Sequence, residues 1–125
     1  MRVRRAWLLT LGPIGTASLL YVFVTRGFTS PSGTPGAGLG WLLIGVLPLF
    51  VFGIWLLTAT SSRVAVYVAL GATGSAVGSA YETFVWTHLD VLASSTFALL
   101  NQIGLTADAL ASIGFLLMFA AFPDG

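Results

Sequence analysis

The sequence predicts an all-α integral membrane protein with four transmembrane helices and a short interfacial helix on the outer side. Two observations support this fold class. Of the 125 residues, 57% are hydrophobic and only 7% are charged, whereas about a quarter of the residues of a soluble domain are charged. The few charged residues are also spaced so that long apolar stretches lie between them. Most of the chain is therefore expected to lie in the lipid bilayer.

The composition excludes several other classes of protein. Disordered chains have low hydrophobicity and nucleic-acid-binding surfaces are basic, but this chain is apolar and its formal net charge is +1. The absence of Cys excludes disulfides and thiolate metal ligands. The sequence contains no nucleophile elbow, phosphate-binding loop or HExxH motif. We therefore expect no catalytic residue, cofactor or metal ion in this chain.

The apolar stretches define the organisation of the chain. A helix needs roughly 20 largely apolar residues to cross the bilayer. We place four spans in a single transmembrane domain that covers residues 1–125, at residues 6–25, 39–60, 64–87 and 105–122. Gly, Pro, Ser and Thr dominate the segment 26–38, which predicts an irregular outer loop.

Residues 88–104 are compatible with two structures. Their larger apolar residues lie near one helical face, which predicts an amphipathic helix in the outer interface. Gly104 would then end this helix, and Thr106 would cap the last span, with Asp108 in its first turn. The alternative is one long helix that starts near Asp90 and continues through the last span.

The arginines predict the orientation, because Lys and Arg near span ends are retained in the cytoplasm. With the N-terminus inside, only Arg26 lies outside, and the other four arginines are cytoplasmic: Arg2, Arg4, Arg5 and Arg63. We therefore expect a multi-pass protein of the cell membrane with both termini in the cytoplasm.

Glu82 lies about five residues inside the outer end of the third span, where an ionisable residue is a candidate for function. We expect it to face protein, because it shares a helical face with small residues that permit close helix packing: Gly71, Gly74, Ser75 and Gly78. Arg26 is then its natural partner if the first and third spans are neighbours. The alternative is that Glu82 and Arg26 are two independently solvated boundary charges.

The chain ends in FLLMFAAFPDG, an apolar helix that runs into Phe122, Pro123, Asp124 and Gly125. This ending resembles the membrane portion of a family of bacterial two-component sensor histidine kinases, whose last span enters the cytoplasm at FPDG or FPTG. The layout is also similar: a basic N-terminus, two spans, a short link with Arg63, a span rich in small residues that ends near Tyr81, an outer segment and the FPDG span.

The resemblance implies a sensing and anchoring region that transmits helix shifts to a cytoplasmic homodimer. It implies no nucleotide binding here, and contact with a response regulator only through a kinase core that these 125 residues do not include. We accordingly expect a fragment that is truncated before that core. The alternative is a complete small four-helix membrane protein that acts as a transporter subunit or a membrane scaffold.

The predicted topology can be tested with single cysteines at Ser32, in the outer loop, and at Ser62, in the inner link. In intact cells, an impermeant thiol reagent should label Ser32→Cys and leave Ser62→Cys unlabelled, because only the outer loop is accessible. The reverse pattern would invert the topology.

Overall fold

The computed structural model describes residues 2–25, 40 and 42–122. Four α-helices follow one another: α1 (Arg2–Thr25), α2 (Leu47–Ala59), α3 (Arg63–Thr87) and α4 (Thr96–Ala121). A π-helical stretch, Leu42–Val46, leads into α2, and a 3₁₀ turn, Leu89–Ala93, joins α3 to α4. The predicted all-α class is confirmed for these residues. All four helices, with the π-helical stretch counted with α2, are long and apolar enough to cross a membrane.

Local sequence explains where two of the helices begin. The N-cap of α3 is Ser62, whose side chain accepts a hydrogen bond from the Val64 amide at 3.1 Å. Ser61 next to it is exposed, so a labelling cysteine at Ser61 would preserve this cap. Pro48 lies in the first turn of α2, directly after the π-helical stretch. Since proline has no amide hydrogen to donate, the backbone changes its hydrogen-bonding register there.

Helix α3 is the centre of the molecule. Helices α1, α2 and α4 all pack mainly against it. The share of buried residues in the membrane-spanning stretch is 50% for α3, compared with 22%, 28% and 17% for α1, α2 and α4. Two apolar clusters join α1, α2 and α3, one around Leu11, Leu57 and Ala69 and the other around Val22, Val46 and Ala76. The third span is thus the most protein-buried helix.

The contact between α3 and α4 brings the two backbones together. A methyl group placed on Gly114 of α4 would lie 2.6 Å from the Gly71 amide nitrogen of α3. A methyl group on Gly74 would lie 2.7 Å from the Ala107 carbonyl oxygen and 2.7 Å from the Ala111 amide nitrogen. Only glycine fits at these two positions without moving a backbone.

The predicted helix break at Gly104 is wrong. Helix α4 runs without interruption from Thr96 through Gly104, and the space where a Gly104 side chain would lie is filled by the Tyr81 ring. Thr106 does not cap a helix, because its hydroxyl donates to the Gln102 carbonyl at 2.7 Å. Gly104 is therefore a packing residue, and the alternative of one long helix is nearer to the structure, although it begins at Thr96 rather than at Asp90.

The contacts also place the arginines at one end of the bundle. The start of α1 lies beside the end of α2, and Arg63 opens α3 at that same end. Helix α4 runs antiparallel to α3, because Gly114 contacts Tyr67 whereas Gly104 contacts Tyr81. We call this end of the bundle the arginine end. It contains four arginines of the described residues: Arg2, Arg4, Arg5 and Arg63.

Substitution of Gly74 should test the backbone contact. Gly74→Ala should lower the free energy of unfolding in detergent by about 1–3 kcal/mol, because the added methyl group meets backbone atoms that cannot rotate away. Gly12→Ala is the matched control, since a methyl group there would have no neighbour within 4 Å. It should be neutral or slightly stabilising. Equal effects of the two substitutions would contradict close packing of α3 against α4.

Candidate functional site: the polar cluster between α3 and α4

The small residues that share one face of α3 differ in how far the structure buries them. Gly71, Gly74 and Gly78 are buried against α4, and Ser75 is half-buried. The Ser75 hydroxyl donates to the Gly71 carbonyl at 3.0 Å, so it is satisfied within its own helix. Glu82, one turn beyond Gly78, is exposed. It therefore lies at the edge of the α3–α4 contact rather than inside it, which differs from the predicted position facing protein.

Asp108 occupies a different place from the one that the sequence predicted. We expected it in the first turn of the last span, where the helix dipole would explain it. It lies instead twelve residues after the first residue of α4, about 18 Å along the helix axis. A carboxylate that far inside a membrane-spanning helix is costly and is a candidate for function. The sequence does contain a signal for this position of Asp108. Residues 88–122 include no proline, and Gly104 alone only weakens a helix, so one helix can continue through Gly104 and contain Asp108 in its interior.

Asp108 and Glu82 are neighbours in space. One Asp108 carboxylate oxygen lies 3.0 Å from the point that a Gly78 side chain would occupy. Gly78 and Glu82 are one helical turn apart on the same face of α3. The Asp108 charge acts electrostatically on the Glu82 carboxyl group. The two carboxyl groups therefore lie near each other across the α3–α4 contact, and we call them the carboxylate pair.

Tyr81 and Asn101 complete the cluster. The Tyr81 hydroxyl donates to the Asn101 side-chain oxygen at 3.1 Å, which links α3 to α4. The same ring packs over Gly104. This hydrogen bond links the two helices on the side of the carboxylates that lies away from the arginine end. The four residues Tyr81, Glu82, Asn101 and Asp108 form what we call the polar cluster.

The predicted partner of Glu82, Arg26, lies outside the described residues, so the Glu82–Arg26 pair stays a prediction. His88 does not join the polar cluster through any hydrogen bond. Its ring stacks on Phe84 with centroids 4.4 Å apart, and its Nδ1 lies 2.9 Å from the Thr87 hydroxyl oxygen. Within the described ranges, no three His, Asp or Glu residues lie close enough together to hold a metal ion.

The arrangement suits proton or cation exchange and helix movement better than covalent catalysis. Two like charges that face each other across a contact are relieved by a proton or a cation. No nucleophile stands next to a base among the residues of the cluster. Binding of a proton or a cation at the two carboxyl groups would thus change the repulsion between α3 and α4.

Comparison of the chain with protein families, with curated proteins and with solved structures gives no match.

A double-mutant cycle tests the carboxylate pair. At neutral pH, Glu82→Gln and Asp108→Asn should each stabilise the protein, because either change removes the like-charge repulsion. The double variant should gain less than the sum, with a coupling energy above about 0.5 kcal/mol. The measurement is the free energy of unfolding in detergent.

The control for this cycle pairs Glu82→Gln with Asp90→Asn. Asp90 lies in the 3₁₀ turn and is not among the groups that act on Glu82, so these two changes should be additive. Additivity for the Asp108 cycle as well would mean that the carboxylates do not interact as charges.

Proposed function

We propose that this chain is the membrane-embedded sensing and anchoring region of a two-component sensor histidine kinase, with four crossings and both termini in the cytoplasm. The continuous helix α4 carries this proposal. It begins beyond the polar cluster, passes the carboxylate pair and ends at Ala121 at the arginine end. A single helix that joins a titratable cluster on one side to an exit on the other is the element that transmembrane signalling requires.

The packing of α3 against α4 supports movement of this kind. Small residues line both sides of the contact, and the described residues show a single side-chain hydrogen bond across it, between Tyr81 and Asn101. A change of charge at Glu82 and Asp108 alters the repulsion at one end of the contact. The response would be a shift or rotation of α4 relative to α3 at the arginine end.

The orientation follows from the arginines. All four arginines of the described chain lie at one end of the bundle, and basic residues next to spans are retained in the cytoplasm. The arginine end is therefore the cytoplasmic end in this proposal, and the polar cluster lies in the outer half of the bilayer.

The second candidate is a complete four-helix membrane protein that acts as a scaffold or a transporter subunit. A groove of about 350 Å³ between α1, α3 and α4 favours this alternative. Its walls are almost entirely apolar and include Leu11, Leu70 and Leu110. A partner helix in the membrane would find an apolar surface there.

The coding sequence beyond Gly125 separates the two candidates. A kinase gene should continue in frame into basic residues and a helix that carries the phosphoacceptor histidine. A stop codon directly after Gly125 would support the four-helix protein instead.

The signalling mechanism can be tested on the full-length kinase in membrane vesicles. Gly74→Ile should change the rate of autophosphorylation severalfold, because the bulky side chain separates α3 from α4. Gly12→Ile, which has free space around it, is the matched control and should leave the rate unchanged. Equal rates for both variants and the parent would overturn transmission through the α3–α4 contact.

A further inference from the structure

A basic cavity opens at the arginine end between α1 and α2. Its volume is about 420 Å³, and it is lined by Arg2, Arg4, Arg5, Leu8, Leu57 and Thr58. Three arginines from the first turn of α1 therefore line one space. Leu8 and Leu57 supply its apolar wall.

Arg4 contacts the end of α2 from this cavity. Its Nε donates to the Leu57 carbonyl in the last turn of α2, one of the carbonyls that a helix end leaves without an amide partner. The terminal nitrogen Nη2 of the same guanidinium is buried and has no hydrogen-bond partner. A buried charged donor without an acceptor is unfavourable. Arg4 thus adds an incompletely paired guanidinium to the wall of the cavity, next to the exposed Arg2 and Arg5.

The described part of the chain does not supply that acceptor. Its three carboxylates, Glu82, Asp90 and Asp108, lie on α3, on the 3₁₀ turn and on α4, away from the arginine end. Arg2 and Arg5 are exposed, and none of the described acidic residues pairs with them. Among the described residues, the positive charge at this end therefore has no acidic partner.

We propose that this cavity binds the phosphate of an anionic phospholipid headgroup in the adjacent leaflet. The planar guanidinium matches phosphate oxygens in pairs. Basic pockets between transmembrane helices on the cytoplasmic side bind anionic headgroups, and the Leu8 and Leu57 wall continues toward the acyl chains. The proposal rests on the membrane placement of the helices proposed above and is independent of the kinase assignment.

The test uses the full chain in a nonionic detergent with 0.15 M ammonium acetate, a volatile salt that suits mass spectrometry and screens interactions between charges more than about 8 Å apart. Short-chain phosphatidylglycerol is titrated, and native mass spectrometry counts the bound lipids. We expect saturable binding of one lipid per chain. Arg5→Gln should weaken this binding at least about tenfold, because a charge-assisted hydrogen bond is lost. Arg5 has no structural partner in the described residues, so the variant should fold, and circular dichroism verifies this.

Arg63→Gln is the matched control, since it removes the same charge at the same end but lies outside the cavity. It should weaken binding less than about twofold at this salt concentration. Equal losses for Arg5→Gln and Arg63→Gln would overturn the site in favour of general surface charge.

Two further ligands distinguish an anionic lipid headgroup from a zwitterionic lipid and from a free phosphate ester. Phosphatidylcholine should bind more weakly than phosphatidylglycerol, and comparable binding would overturn the preference for an anionic headgroup. Glycerol phosphate, which has the headgroup chemistry without acyl chains, should also bind more weakly, and equal affinity would overturn the lipid as the occupant. If the chain stayed monomeric in water without detergent, the proposed membrane placement would be refuted. Loss of lipid selectivity would instead refute only the lipid site.

Discussion

Contact between two helix backbones is the constraint on which the rest of the structure depends. Gly71 and Gly114 touch where α3 and α4 cross, and Gly74 lies against Ala107 and Ala111. Water does not drive helices together in a bilayer, so close van der Waals packing of small residues has to do so. Because α4 packs mainly against α3, the glycines determine where α4 and its carboxylate lie.

The arginines and the carboxylates of the described residues lie at different positions along the bundle axis. This separation relates the two proposed sites to each other. The described arginines lie at one end, whereas Glu82, Asp90 and Asp108 lie toward the other end or along α4. None of the described arginines therefore neutralises a described carboxylate within the chain. The two proposals balance these groups from outside the bundle, the arginines with a lipid phosphate and the carboxylates with a proton or a cation.

The amino-acid sequence was sufficient for the four long apolar helices, the burial of the third span and the close packing at Gly71, Gly74 and Gly78, but residues 96–104 of the predicted interfacial helix belong to α4. It failed at Gly104 and Asp108. A glycine that ends a helix and a glycine that receives an aromatic ring have the same identity in the sequence, and only the position of Tyr81 distinguishes them. If Gly104 ended a helix, Asp108 would be a first-turn residue, so the sequence pattern does not predict its position beside Glu82.

Three of the helices are longer than the hydrocarbon core of a bilayer, and this has a consequence in the proposed membrane placement. Helices α1, α3 and α4 have 24, 25 and 26 residues. At 1.5 Å per residue these lengths are about 36, 38 and 39 Å, against about 30 Å of hydrocarbon. In a bilayer, all three would have to tilt or extend into the headgroups to accommodate the difference. A change in bilayer thickness would then act on most of the bundle at once, and the pair of helices that carries the carboxylates would change its tilt together with α1.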